Sequence, residues 1–204
     1  MKYIVSLLII INILSADAFS LNNKDKQRIK NTHNKKQIAK RIYNFYNFFK
    51  EAKDFDELKK LNRVNNYINR IIGKGDESNE WITPKEFLIR GRGDCEDYAI
   101  TKYFALKKLN IDTKKLYLSV VKVKGSPSYH MVLLYIRNNN IMVLDNLSWK
   151  LVSLKKRKNL KFYYAFNQYG SYIIEDNKFV REKDIRRSEV KFFRKMLSDI
   201  RKGK

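Results

Sequence analysis

The sequence predicts an α+β fold, with a helical N-terminal part packed on an antiparallel sheet. Three observations carry this. Apolar residues recur at helical spacing through the first half of the chain. The period changes to two after about residue 115. One more amphipathic helical pattern then closes the chain, and helices followed by strands is the α+β order. With 204 residues and 44% hydrophobic content, the chain is long and apolar enough for one ordinary domain with a real core.

The first residues read as an export signal. Met1-Lys2 is a short basic start, Tyr3 to Leu14 is an apolar core, and Ala16-Asp17-Ala18 is a small-x-small cleavage site. This assigns 1-18 to a signal peptide and puts the mature start at Phe19. The apolar stretch is short for a bilayer span, which needs about 20 residues. Residues 19-36 are polar and read as a flexible lead-in, in which His33 is solvated. A single domain is expected over 37-204.

Ile38, Ile42, Phe45, Phe48 and Phe49 mark the first helical stripe. Asp54, with Glu57 three residues later, reads as the start of a second helix. Its inner face is Phe55, Leu58, Leu61, Val64, Ile68 and Ile71, and Gly73 and Gly75 end it. The stretch from Glu80 to Arg92, holding Trp81 and Pro84, reads as a loop. A third helix is expected from about Cys95 to Lys108, with Ala99, Tyr103 and Leu106 inside. Strands are expected at Leu116 to Val123, Tyr129 to Ile136, Ile141 to Asn146, Phe162 to Phe166 and Tyr172 to Ile174. The last helix is expected from about Asp184 to Ile200, with Val190, Phe193, Met196 and Leu197 facing in.

The formal net charge is +23. The basic residues are scattered, with only short clusters such as Lys155-Lys156-Arg157-Lys158. Scattered charge on an exported chain argues against nucleic-acid binding and fits contact with an acidic partner or, peripherally, with anionic lipid at a membrane surface. Export usually goes with disulfides, yet Cys95 is the only cysteine. The fold therefore does not depend on disulfides, and Cys95 is a free thiol.

That cysteine lies in Gly91-Arg92-Gly93-Asp94-Cys95-Glu96-Asp97, a glycine turn leading into a helix. The positive end of a helix favours a thiolate there. A thiol nucleophile needs a base, and of the two histidines only His130 lies on an apolar strand. A base needs an orienting group, and Asp145 lies near the end of the next strand. If Asn138-Asn139 forms a two-residue hairpin turn, Arg137 pairs with Asn140 and Asp145 falls opposite Val132, diagonal to His130. A three-residue loop over Asn138 to Asn140 fits the sequence equally well. The acids beside Cys95 oppose a thiolate: a carboxylate about 5 Å away costs roughly 1–3 kcal/mol at effective dielectrics of about 80 down to 20. Asp94 and Glu96 need not face the sulfur, and hard oxygen donors behind the turn suit Ca²⁺. The alternative is that the acids complement the helix dipole.

Several ordered blocks carry a resemblance. They are Trp81-Ile82-Thr83-Pro84-Lys85-Glu86-Phe87-Leu88, the cysteine block through Ile100, and Lys102-Tyr103-Phe104-Ala105-Leu106. His130-Met131-Val132-Leu133, Leu144-Asp145-Asn146-Leu147 and Phe166-Asn167-Gln168-Tyr169-Gly170 follow in order. Together, over roughly Phe45 to Tyr172, the chain resembles the bacterial transglutaminase-like cysteine proteinases, the LapG-type periplasmic proteases. The resemblance implies a papain-like, transglutaminase-like fold and a catalytic triad of Cys95, His130 and Asp145. It implies calcium dependence, with Asp94 and Glu96 as ligands and Asp97 as a further candidate. It also implies a large surface adhesin as substrate, cut near its N-terminus at a paired-alanine site so that biofilm disperses. The expected regulator is a c-di-GMP-responsive inner-membrane receptor. Asn110 stands where the family has a glycine after the catalytic helix, and a left-handed cap tolerates it. Two other functions remain open at this point. One is acyl transfer to an amine on the same fold. The other is a non-catalytic basic module binding the cell envelope.

Overall fold

The computed structural model describes residues 17–71, 73–75, 80–138, 140–175, 178–182 and 188–203. The expected signal segment up to residue 16, Asn139 of the expected hairpin turn, the side chain of Ile71, and the expected start of the last helix at Asp184 lie outside the described residues. No helix among the described residues is long and apolar enough to cross a membrane.

The helical part comes first. It comprises α1 (Asn23–Lys30), α2 (Lys35–Ala52), α3 (Glu57–Ile71), β1 (Gly73–Lys74), α4 (Pro84–Arg90), β2 (Arg92–Gly93) and α5 (Cys95–Lys108). The sheet follows, with β3 (Leu116–Val123), β4 (Tyr129–Arg137), β5 (Asn140–Asp145), β6 (Ser148–Ser153), β7 (Leu160–Asn167), β8 (Gly170–Glu175) and β9 (Lys178–Arg181). Helix α6 (Ser188–Arg201) comes last. The seven strands order as β6-β5-β4-β3-β7-β8-β9, and every neighbouring pair is antiparallel. This is the expected α+β class.

Helix α5 packs across β4 and β3, and its residues from Asp97 to Leu106 are all buried. The main core lies between the helices and one face of the sheet, where Phe45, Leu61, Ile68, Phe87, Tyr103, Leu133 and Phe166 are fully buried. The other face carries a smaller cluster around Val121, Val132, Leu134 and Val143. Asn110 has φ 62°, the left-handed conformation that ends α5.

Three expectations need correction, and two strands go beyond them. The stretch over 19-36, read as a flexible lead-in, is ordered. Phe19 is 2% exposed, its ring 4.7 Å from Phe45 and 5.8 Å from Phe49, and the Tyr46 hydroxyl donates to its carbonyl at 3.0 Å. Helix α1 begins with a capping box between Asn22 and Asp25. It docks through a buried ion pair, Lys85 Nζ to Asp25 Oδ2 at 2.8 Å, so its polar sequence hides its role. The stretch read as a loop contains α4. Thr83 caps it, Pro84 sits in its first turn and Glu86 at the third position, and Gly91 closes it at φ 73°. Helix α3 starts at Glu57 rather than near Asp54, with Asp56 Oδ1 accepting the Lys59 N–H at 2.9 Å. Finally, β6 and β9 are short edge elements with too little alternation to read in the sequence.

Candidate active site

Cys95 is the first residue of α5, with Asp94 as N-cap. The approach to it is tight. A methyl group on Gly93 would lie 2.5 Å from the Phe87 ring and 2.8 Å from Asp97 Oδ2, so only glycine lets the chain pass there. Asp97 is 3% exposed and works for the fold. Its Oδ1 accepts the Ile82 N–H at 3.1 Å and its Oδ2 accepts the Asp94 N–H at 3.2 Å. These bonds tie the turn holding Cys95 to the segment holding Trp81.

The sulfur has two neighbours of opposite effect. The Met131 backbone N–H donates to Cys95 Sγ at 3.4 Å, and the thiol donates to Glu96 Oε2 at 3.2 Å. Burial and the Glu96 charge push the Cys95 thiol up to about 12, against the pull of the Met131 N–H. The sequence allows Glu96 to face away from the sulfur, but in the structure it faces it. As the second residue of the helix, Glu96 folds back over the first.

His130 and Asp145 meet as expected. Arg137 pairs with Asn140 and Leu133 with Leu144, the register of the two-residue turn. Asp145 thereby lies next in register, beside Val132 and two positions from His130. Asp145 Oδ1 is 2.7 Å from His130 Nε2. That contact leaves Nδ1 as the ring nitrogen available for proton exchange. His130 is 8% exposed and Asp145 1%. Burial raises the Asp145 carboxyl, but His130, the Leu147 N–H and Arg157 outweigh it and hold the group well below the usual carboxylate range.

Sequence reasoning missed four supporting residues. Arg157 Nη2 donates to Asp145 Oδ2 at 2.6 Å, which places the arginine of a basic run behind the His–Asp pair. Asn69 Nδ2 donates to the Asp145 carbonyl at 2.9 Å. Lys102 is fully buried, and its Nζ donates to Asn65 Oδ1 at 2.8 Å. Asn65 in turn donates to the Ser148 carbonyl at 2.9 Å, just beyond the Asp145 turn. Burial pushes the Lys102 ammonium down to about 7, although the Asp145 charge acts the other way. Lys102 carries a readable signal, because it falls in the inner stripe of Ala99, Tyr103 and Leu106. Arg157 carries none, since its neighbours are exposed lysines.

Cys95 and His130 line one cavity of about 650 Å³ with Trp81, Glu96, Tyr129 and Tyr163. Trp81 stacks on Phe166, the centroids 6.3 Å apart and the planes at 13°. A thiol, an imidazole held by a carboxylate and backbone N–H groups at a helix start can together perform acyl chemistry. His33 is exposed on the surface and takes no part.

Asp94, Glu96 and Asp97 do not converge on one point. Among the described residues no group of three or more His, Cys, Asp or Glu is arranged to hold a metal. The three acids nevertheless crowd one another. Burial pushes the Asp97 carboxyl up to about 7, its two backbone hydrogen bonds lower it, and the charges of Glu96 and Asp94 raise it further. Hard oxygen donors in mutual repulsion fit a calcium ion in chemistry, although Asp94 shares a capping box with Asp97 and Glu96 accepts from the Cys95 thiol.

The sequence model of the bacterial transglutaminase-like cysteine proteinases matches residues 23–171. No curated protein matches the chain. Among solved structures, calcium-bound LapG of Legionella pneumophila is 23% identical, with a TM-score of 0.71 over 87% of this chain and 97% of that one. The EGTA-treated form of the same protein is also 23% identical, with a TM-score of 0.71 and 96% of its chain covered. A third LapG structure is 24% identical, with a TM-score of 0.70 and 94% covered. These likenesses establish a shared fold. With the family match spanning most of its length, the chain belongs to the bacterial transglutaminase-like cysteine proteinases.

Proposed function

We propose that this cysteine protease is a calcium-dependent endopeptidase of the periplasm that cuts a large surface adhesin near its N-terminus, releasing it and so controlling biofilm attachment. The observation that carries the chemistry is the shared cavity. Cys95 opens into it at the start of α5, and His130 lines it while held by Asp145 at 2.7 Å. Cys95 Sγ attacks the peptide carbonyl carbon, and its proton passes to His130 Nδ1. His130 then protonates the leaving amine, and water hydrolyses the thioester with His130 as base. Asp145, pinned by Arg157 and the Leu147 N–H, keeps the imidazole oriented.

Calcium is supported by the crowded acids at the helix start and by a relative described as calcium-bound. Held by Asp94 and Glu96, the ion would neutralise charge beside the sulfur and fix the turn that carries it. Export is supported by the basic, apolar and small-residue segments of 1-18. The adhesin, its paired-alanine site and a c-di-GMP-responsive receptor follow from the family resemblance.

N-terminal sequencing of fragments released by the wild type but not by Cys95→Ala tests the reading. Cys95→Ala should abolish cleavage and keep the fold. Retained cleavage would remove Cys95 from the mechanism, and isopeptide products in place of free carboxylates would assign acyl transfer instead. EGTA should inhibit and added Ca²⁺ restore activity, whereas indifference to chelation would remove the metal.

A further inference from the structure

Four lysines form a groove that runs up to the catalytic cavity. Lys122, Lys124, Lys158 and Lys161 line a depression of about 320 Å³ between the β3–β4 turn and the start of β7. Lys122 and Lys161 stand directly opposite each other across the β3–β7 ladder. Like charges in that position destabilise a sheet. Among the described residues no carboxylate pairs with any of the four. The chain therefore keeps a repulsive arrangement that no carboxylate among the described residues offsets.

Two tyrosines join this groove to the cavity. Lys122 Nζ lies 5.7 Å from the Tyr129 ring centre, and Lys161 Nζ lies 5.6 Å from that of Tyr163. The two rings meet edge to face at 5.1 Å. Tyr129 is 62% exposed and Tyr163 37%, and both line the cavity holding Cys95 and His130. Exposed aromatic rings flanked by lysines suit a chain bearing both apolar and acidic side chains.

We propose that this groove binds an acidic, extended segment of the protein substrate adjoining the scissile bond. The inference rests on the protease reading, because the cavity it leads into is then the one that receives the polypeptide. Continuity with that cavity favours a peptide over a lipid surface, and the concave shape agrees. Substrate choice then depends on Asp and Glu near the cut as well as on the residues at the cut itself.

The test uses the Cys95→Ala protein and a fluorescein-labelled 12-residue peptide rich in glutamate, read by anisotropy. Lys122→Glu/Lys161→Glu should weaken binding about tenfold or more. Lys36→Glu/Lys40→Glu on α2 removes the same charge elsewhere and should leave binding within about twofold. Equal losses in the two variants would mean that only net charge matters and would overturn the proposal. So would unchanged peptide affinity with loss of co-sedimentation on phosphatidylglycerol vesicles, which assigns the groove to lipid. Binding does not require turnover, so a failed protease reading leaves this result interpretable. With the active enzyme, digestion of a mixed peptide library should enrich Asp and Glu flanking the cuts, and the double reversal should invert that preference. Absence of enrichment in wild-type cuts would also overturn the proposal.

Discussion

Replacing Lys102 by methionine removes a fully buried ammonium near the His–Asp pair and keeps most of its volume. The consequence is a change in how stability responds to pH. In the unfolded chain the lysine titrates near 10.5, and burial brings it down to about 7 in the native state. Between those values the unfolded state binds more protons than the native one, so native stability rises with pH. Below about 7 both states are charged and the full burial penalty is present, about 5 kcal/mol from the difference between the two values. Going from pH 7 to pH 9, the wild type therefore gains about 2 kcal/mol that Lys102→Met cannot gain. Asp145 is the charged group acting on this site, Asn65 its hydrogen-bond partner, and the Tyr98 ring lies 5.9 Å away. The variant also leaves Asn65 Oδ1 without its donor, a pH-independent cost of about 1–3 kcal/mol. Urea unfolding at pH 7, 8 and 9, followed by fluorescence of Trp81 and Trp149, measures both effects. A stability difference that stays constant within about 0.5 kcal/mol across that range would refute the reasoning.

Two further outcomes follow from the packing. Arg157→Met leaves the buried Asp145 carboxylate without its cation and should cost about 3 kcal/mol or more by thermal or urea unfolding, with cleavage reduced beyond what the stability loss explains. Phe19→Ala removes a ring that packs on Phe45 and Phe49 and should cost about 3–5 kcal/mol; a loss below about 1 kcal/mol would mean that the segment does not anchor the core.

The helices α2 and α3 are legible because each carries an apolar stripe at a spacing of three and four, whereas α5 is buried from Asp97 to Leu106 and reads from its glycine-turn start and apolar content. The strands β3, β4 and β5 are legible because they pass through the centre of the sheet and read as apolar runs. Helix α1 is not, because its docking rests on Asp25 meeting Lys85, sixty positions on, and on Arg28 meeting Glu86. Helix α4 is seven residues long, too short for a stripe, although Thr83, Pro84 and Glu86 mark its start. The same division runs through the site. His130 and Asp145 stand out as polar residues on apolar strands, and a hairpin register brings them together. Arg157 reaches Asp145 only through the fold-back of β6 and the turn at Leu154–Lys156, which no local pattern announces.

The sequence suggests a thiolate at Cys95 and the geometry opposes it, and magnitude decides between them. A helix N-terminus stabilises a charge by about 0.3–1 kcal/mol, and up to about 2 in partly buried settings. Glu96 Oε2 lies 3.2 Å from the sulfur. At that separation an effective dielectric of about 20 gives roughly 5 kcal/mol of repulsion, and even the value for bulk water gives about 1. The carboxylate outweighs the dipole, so the thiol holds its proton as arranged. The proton leaves when Glu96 turns away or when its charge is neutralised. Glu96→Gln preserves an acceptor beside the sulfur and removes the charge. In buffer containing EGTA, alkylation of Cys95 by iodoacetamide should then run about tenfold faster or more than in the wild type, because even the smaller repulsion of about 1 kcal/mol requires nearly that much. An unchanged rate would mean that burial alone governs the thiol, and the acid beside it would then have to be explained by the fold.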